Sequence, residues 1–143
     1  VWERLQQSAD AHLAAIAAKS IKEVRYHLRH ARDWLVRLGD GTAESHARVQ
    51  AALDYLLPFT DEFWAPSALE SAVAGNATGV PAASLRAEWQ ALVDDAIAEA
   101  MLKPPPAWDG YVTQGKTGVH TEHLGYLLAE MQSLARAHPG AVW

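Results

Sequence analysis

Glu23-Val24-Arg25-Tyr26 places a carboxylate three residues before a second polar side chain. This is the spacing of the Glu-x-x-His pairs that hold iron inside carboxylate-bridged four-helix sites. Tyrosine stands where the metal-binding histidine would be. A complete site of that kind asks for a Glu-x-x-His turn on each of two helices and one Glu from each of the other two. None of the 17 Asp and Glu residues is followed by histidine three positions on, so Glu23 and Tyr26 have the form of a degenerate pseudo-site without metal. The alternative is a buried carboxylate paired with a base on an ordinary helix. Lys19 and His27, four residues to either side, have the spacing to pair with Glu23.

Lys22, Arg25, Arg29 and Arg32 fall within about 80° of one another around a helix with 3.6 residues per turn. This basic ridge either contacts a partner or the phosphates of a cofactor, which guanidinium groups bind bidentately, or is a solvated face. His120-Thr121-Glu122-His123 puts two imidazoles at i, i+3, but a zinc site wants a third protein ligand. The bland reading is that Thr121 caps a helix whose positive end Glu122 favours. Gly39-Asp40-Gly41 lacks the third glycine of a dinucleotide fingerprint, and Gly115-Lys116-Thr117 lacks the upstream loop of a phosphate-binding motif. The serines have no recognisable His and Asp frame, and no catalytic residue is assigned.

These side chains must be held by helices. Ala and Leu are abundant, and the apolar residues recur at helical rather than alternating spacing, which predicts an all-α chain. Nothing breaks the pattern from Trp2 to Leu38, where Leu5, Ala9, Leu13, Ile16, Ser20, Val24, His27, Ala31, Leu35 and Leu38 follow one stripe, so a single helix of about 55 Å is expected over 2–38. Gly39 and Gly41 should stop it in the left-handed conformation, with Thr42 capping the next helix. That helix is expected over about 43–64, kinked at Pro58. Ser67-x-x-Glu70 has capping-box spacing and opens a helix over about 68–74. Pro81 leads into another over about 82–103, closed by Pro104-Pro105-Pro106, and a last helix is expected over about 121–138. Gly125 inside it suggests close backbone packing at that turn.

A length of 143 residues suits one domain, and a net charge of −5 with pI near 5.7 gives no electrostatic case for nucleic acid. Without cysteine there is no disulfide, thiolate metal site or cysteine nucleophile. No run approaches the roughly 18 apolar residues of a membrane helix, and no leader opens the sequence. A protein of the cytoplasm is expected, free of the membrane.

Three ordered stretches resemble a known family: Lys19-Ser-Ile-Lys-Glu-Val-Arg-Tyr-His-Leu-Arg29, Arg37-Leu-Gly-Asp-Gly-Thr-Ala-Glu-Ser-His46 and His120-Thr-Glu-His-Leu-Gly-Tyr-Leu-Leu-Ala-Glu-Met-Gln132. They are similar to the C subunits of the phenylacetyl-CoA epoxidases, whose chains run on for roughly another hundred residues before position 1. The resemblance implies that residues 1–143 are the C-terminal part of a single ferritin-like helical domain, with the 2–38 helix as the last of its four core helices. It further implies a non-catalytic, structural subunit of a cytoplasmic monooxygenase complex for aerobic phenylacetate degradation. In that complex a sister A subunit would carry the di-iron centre and epoxidise the ring of phenylacetyl-CoA. No cofactor is expected in this chain. The partners implied are the A subunit and, by self-association, further copies, with phenylacetyl-CoA touched only indirectly. Lys22, Arg25, Arg29, Arg32, His120, Glu122 and His123 are the candidate contacts. The alternative is a metalloenzyme using His27, His30, His120 and His123 with carboxylates from residues outside this chain.

Overall fold

A computed structural model describes residues 1–142, and every regular element in it is helical. Six α-helices follow in order: α1 (Trp2–Leu5), α2 (Ala11–Gly39), α3 (Ala43–Leu56), α4 (Ala68–Gly75), α5 (Arg86–Glu99) and α6 (His123–Ala137). Short 3-10 turns occupy Leu57–Trp64, Ala82–Leu85 and Gly115–Thr117. Among the described residues no helix is long and apolar enough to cross a membrane.

The expected helix over 2–38 is two helices. Asp10 caps α2 with its carboxylate, accepting from the His12 and Leu13 backbone N–H groups at 2.9 and 3.1 Å. Between α1 and α2 the Gln7 and Ser8 N–H groups turn back to the Arg4 and Leu5 carbonyls, while the loop after α4 receives the Ala9 N–H on the Ala77 carbonyl and the Ser8 hydroxyl on that of Thr78. The buried stripe of α2 also differs from the expected one. Ala17, Ile21 and Gly39 are buried while Ile16 and Leu38 are exposed, because α3 and α5 lie on the Leu35 and Val36 side.

Thr42 caps α3 as expected, but the reciprocal bond of the capping box comes from Ser45. Instead of kinking at Pro58, the expected 43–64 helix passes into a 3-10 turn there, since proline lacks the N–H that an α-helix would use. Ser67 caps α4 on the Glu70 N–H. The Glu70 carboxylate is engaged elsewhere, as described below.

α5 begins at Arg86, after a 3-10 turn, and ends at Glu99, well before the three prolines. Met101 takes φ 58°, so that its N–H reaches the Ala98 carbonyl and the Leu102 N–H reaches that of Ile97. This is the Schellman pattern, and its usual apolar contact is formed by Ile97 and Leu102, which join Ala100 in the core. Leu35, Val36, Val49, Leu53, Leu57 and Val93 pack around them.

Two glycines act otherwise than expected. Neither Gly39 nor Gly41 has a positive φ. Gly39 is there for space: a Cβ on it would lie 2.2 Å from the Ala100 carbonyl oxygen, so the C-terminus of α2 crosses the end of α5 at backbone distance. Around Gly125, by contrast, an added Cβ would meet nothing within 4 Å among the described residues, and no backbone packs at that turn. α6 itself starts at His123, with Glu122 rather than Thr121 at the cap position and no side-chain bond there.

Candidate functional site

Glu23 and Tyr26 lie on the side of α2 turned away from α3 and α5, and both are exposed. The carboxylate is therefore not the buried one of the alternative reading. Its one hydrogen-bonding neighbour among the described residues is His27, whose Nε2 lies 3.4 Å from Oε1; Lys19 forms no ion pair with it there. From Tyr26 a stack of side chains runs on along the same face. His30 stacks on Tyr26 at 5.9 Å, Trp34 meets His30 edge-on at 6.4 Å, and the Arg37 guanidinium sits 5.7 Å from the Trp34 ring. Among the described residues no three His, Asp or Glu side chains are grouped so that they could hold a metal ion. His27, His30, His120 and His123 therefore do not form a site with one another.

The basic ridge is divided by the packing. Arg32 is drawn inward between helices, where its Nη2 donates to Asp95 at 2.6 Å and to Glu99 at 2.5 Å across to α5. These two carboxylates hold its guanidinium above the ordinary arginine range. Arg25 reaches back to Glu3 of α1 at 2.6 Å, and Arg4 of α1 pairs with Glu88 of α5. Arg29 instead stands 6.0 Å from the Tyr26 ring, without an acid partner among the described residues, and Lys22 is exposed. Two of the four ridge cations thus tie helices of this chain together. Helical spacing places all four on one face correctly, but cannot show that α1 and α5 flank that face with acids.

Between α2, α3 and α5 lies an open groove of about 410 Å³, lined by Leu28, Leu35, Leu53, Trp89, Leu92 and Val93 among others. Among the described residues Arg32 is the only titratable group on its wall, and it is already committed to Asp95 and Glu99. The groove offers area for an apolar occupant and no acid–base chemistry.

His120, Glu122 and His123 fall at the end of an irregular strap that runs from Lys103 to α6. The Tyr111 hydroxyl donates to the His120 carbonyl at 3.2 Å, while Glu122 and His123 are exposed at the head of α6. The side chain that anchors this strap is Lys116, from the Gly-Lys-Thr run that lacks a phosphate loop. Its Nζ donates to the carbonyls of Phe63 and Ala65 at 2.9 and 3.0 Å and to Glu70 Oε1 at 2.9 Å. Beside it the Gly115 N–H donates to Glu62 Oε2 at 2.8 Å. No sequence spacing signals this cluster, because its members come from segments some fifty residues apart.

The hydrogen bond from Gly115, then that from the Thr113 side chain, holds the Glu62 carboxyl below the usual carboxylate range; His120 and Lys116 add smaller pulls against desolvation. Glu70 is held low mainly by its bond from Lys116. Both folded values are depressed, so this anchorage is at full strength above the ordinary value of 4.5 and is lost as the pH falls through the lower folded values. The Gly115 amide proton, followed by NMR from pH 7 downward, should titrate with a midpoint below 4.5. A midpoint at or above that value would remove the bond from the account.

The whole chain, residues 1–143, matches the family described as "Phenylacetic acid catabolic protein". It is 47% identical over 143 residues to the C subunit of the 1,2-phenylacetyl-CoA epoxidase of Escherichia coli (strain K12). The match takes in all of this chain and 57% of that protein, so the chain spans a little over half the length of the curated relative it matches.

Proposed function

Because this chain belongs to the phenylacetic acid catabolic protein family, we propose that it serves as part of a non-catalytic subunit in a multicomponent di-iron monooxygenase that epoxidises the ring of phenylacetyl-CoA. Its task there is to bind and stabilise the sister subunit that holds the iron, in the cytoplasm. The all-α architecture is in keeping with a ferritin-like fold. The likeness in sequence to a protein named as the C subunit of that epoxidase supports the assignment.

The observation that carries the non-catalytic part is Tyr26. A di-iron helix uses the residue three after its glutamate as a ligand, and a neutral imidazole binds iron readily at neutral pH. A phenol must first give up its O–H proton to serve as a ligand. No Asp or Glu of the chain is followed by histidine at that spacing, so this chain brings no Glu-x-x-His turn to such a site.

A second reading has one observation in its favour, the 3.4 Å approach of His27 to Glu23 on an exposed face. In that reading residues outside this chain complete a metal centre of its own around these two. Metal analysis of the full-length subunit, purified alone after growth in iron beside the catalytic subunit as control, separates the readings. Substoichiometric iron is expected, with the catalytic subunit loaded. A pair of irons per chain would establish the second reading and retire the first.

A further inference from the structure

α6 is a 15-residue helix with no substantial packing against any other described element of the chain. Tyr126, Leu127, Met131 and Leu134 are all more than half exposed. Among the described residues its apolar face is not buried, so within this chain its position rests on the strap that precedes it rather than on the usual packing of a helix face.

That strap is fixed at two places. At its start the Gln50 side chain brackets Lys103, with Nε2 donating to the Lys103 carbonyl at 3.0 Å and Oε1 accepting from the Lys103 N–H at 2.9 Å. A little further on, Trp108 packs against Phe59. At its end is the cluster around Lys116, and here the backbone is preformed. Gln114 and Val119 exchange backbone hydrogen bonds at 2.9 and 3.1 Å, and Gly118 closes the turn at φ 84°. The turn projects the Gly115 N–H and the Lys116 ammonium together at the junction between the 3-10 turn and α4.

Lys116 is well matched to that junction. An ammonium has three N–H donors, and its three acceptors are two carbonyls left open where the 3-10 turn ends, Phe63 and Ala65, and the Glu70 carboxylate. The Lys116 and Glu70 side chains are 30% and 29% exposed, so the pair is partly withdrawn from solvent yet can open to it. Every one of these bonds joins the strap to the body. None lies within the core around Ile97.

We propose that Lys116 is the pin of a latch that closes residues 111–122 onto the junction of the 3-10 turn and α4, and that this latch sets the position of α6. When the latch opens, strap and α6 move as a unit while α2, α3 and α5 stay folded, because the core shares no residue with it.

The chain has no cysteine, so Ser71→Cys on α4 and Ser133→Cys on α6 give a clean pair of spin labels for a distance measurement on the otherwise unchanged chain. A single narrow distribution is expected at neutral pH. Lys116→Met should broaden it about twofold or more, and Glu70→Gln, which spares the two carbonyl bonds, should broaden it less. Arg48→Met serves as the control, since it removes an exposed helix cation paired only with Glu44 among the described residues. Far-UV circular dichroism should keep its helical amplitude throughout. A distribution as narrow in Lys116→Met as in the parent would overturn the latch, and so would equal broadening in the Arg48→Met control.

Discussion

Gly39→Ala is expected to destabilise the protein by about 2 kcal/mol, while the same substitution at Gly125 should be neutral or stabilising. At Gly39 the new methyl would lie 2.2 Å from the Ala100 carbonyl oxygen and 2.9 Å from the Ala100 Cβ. The first of these is backbone, and Ala100 is fully buried, so neither helix end can give way without disturbing Ile97 and Leu102. Forcing a methylene into a packed core costs about 1–3 kcal/mol, and a backbone clash belongs at the upper end. Alanine returns up to about 1 kcal/mol of helix propensity, which leaves the net figure. For a chain of this size that corresponds to a fall in Tm of roughly 5–8 °C. At Gly125 only the propensity gain remains, because nothing lies within 4 Å. Thermal unfolding of the two variants side by side tests the pair. Equal shifts at both sites would mean that α2 and α5 do not cross at Gly39.

The difference between these two glycines shows where sequence reasoning reaches. Both sit among helix-forming residues, and a glycine in such a place announces only that something other than propensity selected it. Gly39 reads as a stop signal because Asp40 and Gly41 follow it, and the stop is real; its cause is a helix crossing from residues sixty positions away. Gly125 reads as a packing site and is an open one. Caps are legible where donor and acceptor are neighbours, as at Thr42 and Ser67. Asp10 is hidden because an unbroken apolar pattern runs through it, although its side chain makes the same kind of bond. The end of α5 is illegible for a different reason. Its left-handed residue is Met101, where glycine is the ordinary signal, and the buried Ile97 and Leu102 hold it in place.

The candidate site divides along the same line. Glu23, Tyr26 and the missing histidines are features of spacing on one helix, open to inspection in the sequence. Lys116, Glu62 and Glu70 are assembled by tertiary folding alone. The basic ridge lies between the two. Its angular grouping is a property of α2, and its partition into paired and unpaired cations is a property of what α1 and α5 bring alongside.

That partition predicts a sharp contrast in stability. Arg32→Glu is expected to lower the urea midpoint measurably, since it removes a donor shared by two carboxylates and sets a third beside Asp95 and Glu99, themselves four apart on α5. Asp95 is 71% exposed and Glu99 53%, so solvent screens the lost pairing and the repulsion among three carboxylates adds to its effect. Being partly exposed, the effect should shrink in high salt. Adding Asp95→Asn and Glu99→Gln should recover part of it. Arg29→Glu, made on the same face but with only the Tyr26 ring beside it, should change stability by no more than about 0.5 kcal/mol. Urea unfolding of both variants measures the difference, and it governs how capture of the partner subunit proposed above is read. A loss of capture in Arg32→Glu that tracks its loss of stability is a folding effect, whereas a loss in Arg29→Glu at unchanged stability assigns the docking contact to the outer half of the ridge. If Arg32→Glu keeps full stability, the tie between α2 and α5 contributes nothing, and all four cations return to a single surface.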